Sequence, residues 1–515
     1  MGITYDLYFP LKEAPVTVSS DAQARPGVGR PAIPREVWRL AIVVVIGAFM
    51  AQLDTALVNV GLDTITAKLH GALSAAQWVT SGYLLALAAA LPICGWLGRR
   101  IGPGTLWLGS LVAFTVASLV CALATSLSML IVLRVVQGAA GGLLLPAGQT
   151  VLGRAAGPSR MGRVMSIAGI AVVLAPAVGP TIGGVLIENL SWHWLFLVNV
   201  PVGILALALG LRFIPRGNAE PAGRLDWVGL MILTAALPLV TYGISAAAQY
   251  RSLTSPSVLA TLPLGLVCLA GYILRSRRGR GAPPVVDLSL LRSRVYSSAV
   301  VTVFFSGAGL YGGLIIAPLY FEILRGQGVI DTGLLLLTYG AGAALAMPFA
   351  GRLTDRIGGG LSAVIGLAIT VATTLPFAFL GAHASLPGIE VLQFVRGTGI
   401  GFAGIPAMSA AYASVRREKM ADATVTTNIV QRVGGSLGTA LFVIILQAHR
   451  TVGLADFHRV FLWLTGAAVL ALLAALALAA AERRSAEGKH DSAEGKHEDK
   501  AEQPGRETVQ AEGTQ

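Results

Sequence analysis

Asp54 and Arg134 are charged residues placed inside apolar runs. Asp54 is preceded by Met50 and Ala51 and followed by Leu57, Val58 and Val60, and Arg134 lies within 127–151. A carboxylate halfway across a bilayer costs roughly 2.5–3.5 kcal/mol on insertion scales, so such residues usually face a cavity and mark a proton or substrate path. Asp54 is therefore a candidate to hold a proton or a cationic substrate, each excluding the other. The plainer alternative is a structural hydrogen bond to a neighbouring helix. A guanidinium does not readily shed its proton and needs a partner when buried. Arg134 reads as a proton-relay or gating residue, or as half of a fixed ion pair that packs helices.

A second group of residues suits motion. Gly179 and Gly183 lie four apart on one helical face of the run Pro176–Gly184, with Gly184 beside them. A face of small residues lets another helix approach closely. Pro180 removes a backbone donor and disturbs the helix locally. The segment is a candidate pivot and ion seal, or simply a packing face. Gln137, Tyr83, Trp78, Phe304, Phe305, Tyr311 and Met347 are candidates for lining a mixed polar and apolar cavity. Glu322 and Asp331 read as solvated loop residues.

Other chemistries find no support. Both Gly-Lys pairs, at 488 and 495, precede His rather than Ser or Thr, so no P-loop is present. No H-E-x-x-H spacing occurs. Cys94, Cys121 and Cys268 fit neither a metal site nor a disulfide framework. No cofactor, metal or catalytic residue is expected, and the chain does not read as an enzyme.

The elements that must position these residues are transmembrane helices. The 515 residues are 54% hydrophobic and 12% charged, half the charge of a soluble protein at about 25%. Fourteen apolar stretches, from 40–61 to 458–481, are each near the roughly 20 residues that cross a hydrocarbon core. With the N-terminus in the cytoplasm, the inside segments carry 30 Lys and Arg and the outside loops five, out of 38. That is a strong positive-inside signal. It assigns the net charge of +12 to membrane topology rather than to nucleic acid. Residues 1–38 are polar, with no cleavable signal peptide. From Glu482 the chain is charged and repeats SAEGKH at 485–490 and 492–497, a composition that reads as disordered.

The chain also repeats itself. GWLGRRIG at 95–102 and GRLTDRIG at 351–358 close the second and tenth spans, and LRVVQGAAGG at 133–142 pairs with VRGTGIGFAG at 395–404. Two matches at nearly one offset indicate two related halves, an arrangement common in transporters. Arg396 then holds the place of Arg134 in the second half. The expected organisation is an N-terminal tail (1–38), a six-helix bundle (39–214), two inserted helices with a central loop (215–294), a second six-helix bundle (295–481) and a C-terminal tail (482–515).

These motifs resemble the major facilitator superfamily, and within it the fourteen-span drug:proton antiporters of the EmrB/QacA type. LDTALVNVGLDTI at 53–65 resembles that group's first-span signature. GWLGRRIG resembles its loop motif, LRVVQGAAGG its fourth-span arginine motif, and APAVGPTIGG at 175–184 its fifth-span antiporter motif. The resemblance implies the all-α major facilitator fold, two six-helix bundles with two helices between them, and alternating access. It implies that Asp54 and Arg134 couple protons to substrate, with Arg396 as counterpart. It also implies that Gly95, Arg99, Arg100 and Gly102, with Gly351, Asp355, Arg356 and Gly358, form cytoplasmic gating loops.

Three positions depart from the pattern. Arg99 stands where the loop motif has an acidic residue, which Asp355 keeps in the second copy. One half of the latch between bundles must therefore use a different partner or be lost. Asp63 replaces a proline of the first-span signature, and Ala175 a glycine of the fifth-span motif.

The expected function is a proton-coupled exporter of amphipathic or cationic toxic compounds in the cytoplasmic membrane, with both termini inside. Its partners would be a small-molecule substrate, protons and the bilayer. Some members of the group work with a separate periplasmic adaptor, and the residues leave that open. The alternatives are an exporter of one metabolite or antibiotic, and a non-transporting membrane sensor.

Overall fold

The computed structural model describes residues 33–217, 223–250, 255–278, 284–381, 384–447 and 452–502. Most of the expected N-terminal tail lies outside them. The chain forms α1 (Arg35–Lys68), α2 (Leu73–Ile101), α3 (Pro103–Ala122), α4 (Leu127–Ala156), α5 (Met161–Asn189), α6 (Trp194–Leu197), α7 (Asn199–Phe213), α8 (Trp227–Tyr250), α9 (Pro256–Arg278), α10 (Arg294–Leu319), α11 (Val329–Ile357), α12 (Gly359–Thr374), α13 (Leu386–Gly401), α14 (Gly404–Ala413), α15 (Met420–Leu446) and α16 (Leu454–Glu502).

Thirteen spans among the described residues are long and apolar enough to cross a membrane, with α6 and α7 forming one of them. The stretch 387–412 is helical too, but is divided where α13 gives way to α14 at Phe402–Ala403. Glycines 397, 399, 401 and 404 crowd this stretch, and each weakens a helix by about 1 kcal/mol relative to alanine. The Phe402 amide turns back onto the carbonyls of Thr398 and Gly399, and the Ala403 amide onto that of Ile400. With this pair the fold has the expected fourteen crossings.

The internal repeat is visible in the backbone. Gly102 ends α2 at φ 85° and Gly358 ends α11 at φ 91°, and the next helix begins at once in both places. Side-chain-bearing residues rarely adopt that left-handed conformation, so the motif glycines set the reversal. Close approach is equally specific: a Cβ on Gly138 of α4 would lie 2.3 Å from the Tyr83 carbonyl oxygen of α2.

In the first half α2 lies along α4 and α1 along α5, and in the second α10 lies along α15 and α11 along α13. The halves meet through α5 against α11 and through α15 against α2 and α4. Helices α8 and α9 pair with each other, and α8 also touches α2 and α15. Val132, Ile204, Met231 and Val391 project from the outer surfaces, as expected of helices in contact with lipid.

At the C-terminal end the structure differs from the composition-based reading. Residues 482–502 continue α16. Glu482 accepts hydrogen bonds from the amides of Gly359 (3.2 Å) and Gly360 (2.8 Å), capping the start of α12. The Ala, Glu and Lys that follow are good helix formers, so a docked helix end propagates into a polar segment. Residues 503–515 lie outside the described residues.

Candidate functional site

Asp54 lies at the centre of a closed polar cluster inside the first half. It is fully buried, and so is Arg134. Arg134 Nη1 donates to Asp54 Oδ2 at 2.6 Å. Asp54 Oδ1 accepts from Gln137 Nε2 at 3.0 Å and Asn199 Nδ2 at 2.8 Å. Arg134 also donates from Nη1 to Gln137 Oε1 (2.6 Å) and from Nε to the Val79 carbonyl (3.3 Å), with its guanidinium 4.0 Å from the Tyr83 ring centroid. Ser118 Oγ accepts from Gln137 and Asn199. Removing one partner from a buried ion pair typically costs 3–5 kcal/mol, because the other charge is left uncompensated.

Five helices, α1, α2, α3, α4 and α7, thus meet at one carboxylate. The sequence pairs Asp54 with Arg134 in a common mechanism but does not supply Asn199 or Ser118. The available signal was an amide inside an otherwise apolar span, at Asn199.

A cavity of about 410 Å³ lies between the halves, within the usual range for a small-molecule site. Gln52, Thr55 and Asn59 of α1 line it, as do Pro176 and Pro180 of α5, Tyr311 and Leu314 of α10, Tyr339 of α11, Gln393 and Arg396 of α13, and Arg432 of α15. Asp54 is not among its lining residues, because its side chain turns to Arg134 and Asn199 within the bundle. Direct competition of substrate and proton for Asp54 is therefore not what this arrangement supplies. The carboxylate stands behind the cavity wall, and its sequence neighbour Thr55 stands on it.

The aromatic candidates distribute unevenly. Tyr311 lines the cavity, whereas Tyr83 and Gln137 belong to the Asp54 cluster. Met347 is buried among Val173, Leu310 and Ile400. Phe304 and Phe305 contact each other edge-on, and Trp78 stacks on Tyr242. Neither Arg432 nor the cavity role of Gln393 was foreseen. An arginine inside the fifteenth helix was the signal for the first.

The fifth-span motif is clasped on two sides. A Cβ on Gly179 would sit 2.4 Å from Ala56 Cβ of α1, and one on Gly183 would sit 3.3 Å from Val60 Cβ. On the other side Gly340 of α11 faces Ala177, and Gly333 faces Thr181. Gly184 meets open space and takes no part in this packing. Helix α5 runs without interruption through Pro176 and Pro180.

At the end of the molecule where α1 begins, the halves are fastened together. Arg99 Nη1 of α2 lies 2.5 Å from Asp422 Oδ1 of α15, and Arg163 Nε of α5 lies 2.5 Å from Asp355 Oδ2 of α11. The Gly162 amide adds a 2.8 Å bond to Asp355. Arg99 therefore keeps a latch with opposite polarity, its partner supplied by the start of α15. Gly95 lies against this pair, since a Cβ there would be 2.9 Å from the Asp422 carboxylate.

Among the other loop residues, Arg100 covers the Trp96 ring at 5.3 Å, and Arg356 lies with Arg163, Arg352 and Asp355 around a surface recess. Deeper in, Thr150 pairs with Thr424 at 2.8 Å, and Gln149 accepts from Asn428 (2.6 Å) and Tyr412 (3.2 Å). Outside the membrane-spanning segments, burial works against the charge of Asp287. Lys419 at 2.7 Å and Ser289 nevertheless hold its carboxyl below the usual range, tying the central loop to α15.

The description of the Major Facilitator Superfamily matches residues 44–439. A Mycobacterium tuberculosis protein named "Multidrug resistance protein B homolog" is 34% identical over 440 residues, 84% of this chain and 81% of its own. The "Tetracenomycin C resistance and export protein" of Streptomyces glaucescens is 30% identical, over 82% and 77% of the two chains. The solved structure of the proton:xylose symporter XylE superposes with a TM-score of 0.61 at 14% identity, over 86% of this chain and 95% of that one, which is a likeness of fold.

Proposed function

The chain belongs to the major facilitator superfamily of membrane transporters, and from that premise we propose that it exports amphipathic toxic compounds from the cell in exchange for protons. The observation that carries the proposal is the pairing of two features. One is a fully buried carboxylate–guanidinium cluster behind the wall of a cavity between two halves. The other is a pair of ion pairs across those halves at the end where α1 begins.

The cycle follows from these parts. With the termini in the cytoplasm, the sealed end faces inward and the cavity faces outward. Protonation of Asp54 cancels its charge and releases Arg134, Gln137 and Asn199 from one common acceptor. Helix α1 carries both Asp54 and the cavity residues Gln52, Thr55 and Asn59, so the change reaches the bound compound through the backbone. The halves then rock about α5 and α11, the proton leaves inward, and the next compound enters. One elementary charge moving through 100 mV supplies about 2.3 kcal/mol.

Transport by inside-out vesicles tests this reading. Asp54→Asn is expected to abolish pH-gradient-driven uptake of amphipathic dyes while the protein still inserts. Unchanged uptake would exclude Asp54 as the coupling group. A second reading, export of a single product, is favoured by the relative named for tetracenomycin C alone. Protection against only one of a panel of unrelated toxic compounds would select it.

A further inference from the structure

We propose that the cavity between the halves is a receptor for organic anions: amphipathic aromatic compounds carrying a carboxylate or phenolate. This names the substrate class of the exporter proposed above and rests on that reading.

The argument begins with the two arginines at matching places in the repeat. Arg134 is neutralised by Asp54. Arg396 is not. It is 4% exposed, its Nη1 donates to Gln393 Oε1 at 3.3 Å, its Nε has no hydrogen-bond partner, and its guanidinium stands 5.5 Å from the Tyr339 ring centroid. A guanidinium stays protonated, and a buried charge without a counter-ion is costly. Arg396 nevertheless lines the cavity, and Arg432 joins it there from α15. Arg432 has no ion pair or hydrogen bond among the described residues.

No Asp or Glu lines the cavity among the described residues. Asp54, on the neighbouring wall helix, is already committed to Arg134, Gln137 and Asn199. The charge on the cavity wall is therefore positive. Two guanidinium forks match a carboxylate better than any neutral group. A cation would meet two like charges with nothing to offset them. Tyr311, Leu314 and Leu336 complete an apolar wall, so the ligand needs a ring system as well as a charge.

The test is equilibrium binding to the full chain in nanodiscs, read by fluorescence, with empty nanodiscs subtracted. Three probes share one ring: 9-anthracenecarboxylate, 9-anthracenecarboxamide and 9-anthracenylmethyl-trimethylammonium. The carboxylate is expected to bind roughly tenfold or more tighter than the amide, and the ammonium more weakly than either. Arg432→Gln, which removes no ion pair or hydrogen bond among the described residues, is expected to melt like the parent and to bring the carboxylate-to-amide ratio towards one. Arg432→Lys is expected to keep part of the ratio.

Three results would overturn the proposal: ammonium binding as tight as carboxylate binding, no saturable carboxylate binding, or an unchanged ratio in Arg432→Gln. No transport enters the measurement. Anion preference without proton-driven uptake would remove the exporter cycle and leave the receptor. Uptake with a cation preference would do the reverse.

Discussion

Breaking the Arg99–Asp422 contact should open the sealed end, and the protein carries its own reporter there. Cys94 is 3% exposed on α2, one residue before Gly95, where an added Cβ would touch the Asp422 carboxylate. The pair is 2.5 Å apart, with its side chains 15% and 11% exposed. It is therefore neither a surface ion pair, worth about 0–1 kcal/mol, nor a fully buried one, where losing one partner costs about 3–5 kcal/mol. An intermediate loss of about 1–3 kcal/mol corresponds to a roughly 5- to 150-fold shift between closed and open arrangements. With Cys121 and Cys268 replaced by alanine, maleimide labelling of Cys94 should accelerate by that order in Arg99→Ala. It should accelerate further in Arg99→Asp, which sets two carboxylates together. The double variant Arg99→Asp with Asp422→Arg should slow labelling again. Recovery is expected to be partial, because a cation in the first turn of α15 opposes the helix dipole. Labelling of Arg99→Ala at the parent rate, or a double variant no slower than Arg99→Asp, would refute the latch.

Other consequences are open to measurement. Gly138→Ala should lower the melting temperature, since its Cβ would meet the Tyr83 backbone oxygen at 2.3 Å, whereas Gly184→Ala should be tolerated in open space. Asn199→Val should destabilise the protein by roughly 1–3 kcal/mol and weaken pH-driven uptake, because one donor to Asp54 is lost; parent-like melting and uptake would remove Asn199 from the cluster. Asp226 caps α8 through the Gly229 amide and pairs with Arg275 of α9. Burial opposes its charge, yet Arg275 and the amides hold its carboxyl below the usual range. A depressed carboxyl stabilises the fold above its unfolded value near 3.9. The α8–α9 pairing should therefore hold at pH 5 and loosen only as pH falls through the lower folded value. Hydrogen exchange in α8 would show it, and Arg275→Gln should move the loosening to higher pH.

The crossings and the duplication were legible because both are local: an apolar run of the right length, and glycine motifs repeated at one offset. The side-chain partnerships were not. Asp54 meets Asn199 and Arg99 meets Asp422 across 145 and 323 residues, and no spacing along a chain records such a meeting. Rotation about each helix axis was equally hidden. In a bilayer the lipid face and the packed face are both apolar, so periodicity points nowhere. That is why Phe304, Phe305 and Met347 were as plausible for the cavity as Tyr311. At Arg99 the sequence leaves open whether the latch is lost or uses a different partner, because the compensating Asp422 sits on another helix. The division of α13 from α14 was implicit in four glycines, whose collective effect on one span is harder to anticipate than a single proline.

Helix α8 lies against both α2 and α15. Thr234 bonds to the Ala89 carbonyl on one side, and Val240 and Ile244 pack on Ala440 on the other. A rod wedged between two moving bodies cannot stay fixed to both. In the rocking cycle proposed above, α8 would have to slide along at least one neighbour at each turnover. Substitutions at the contacts of α8 with α2 and α15 are then expected to change the transport rate, although α8 contributes no residue to the cavity lining.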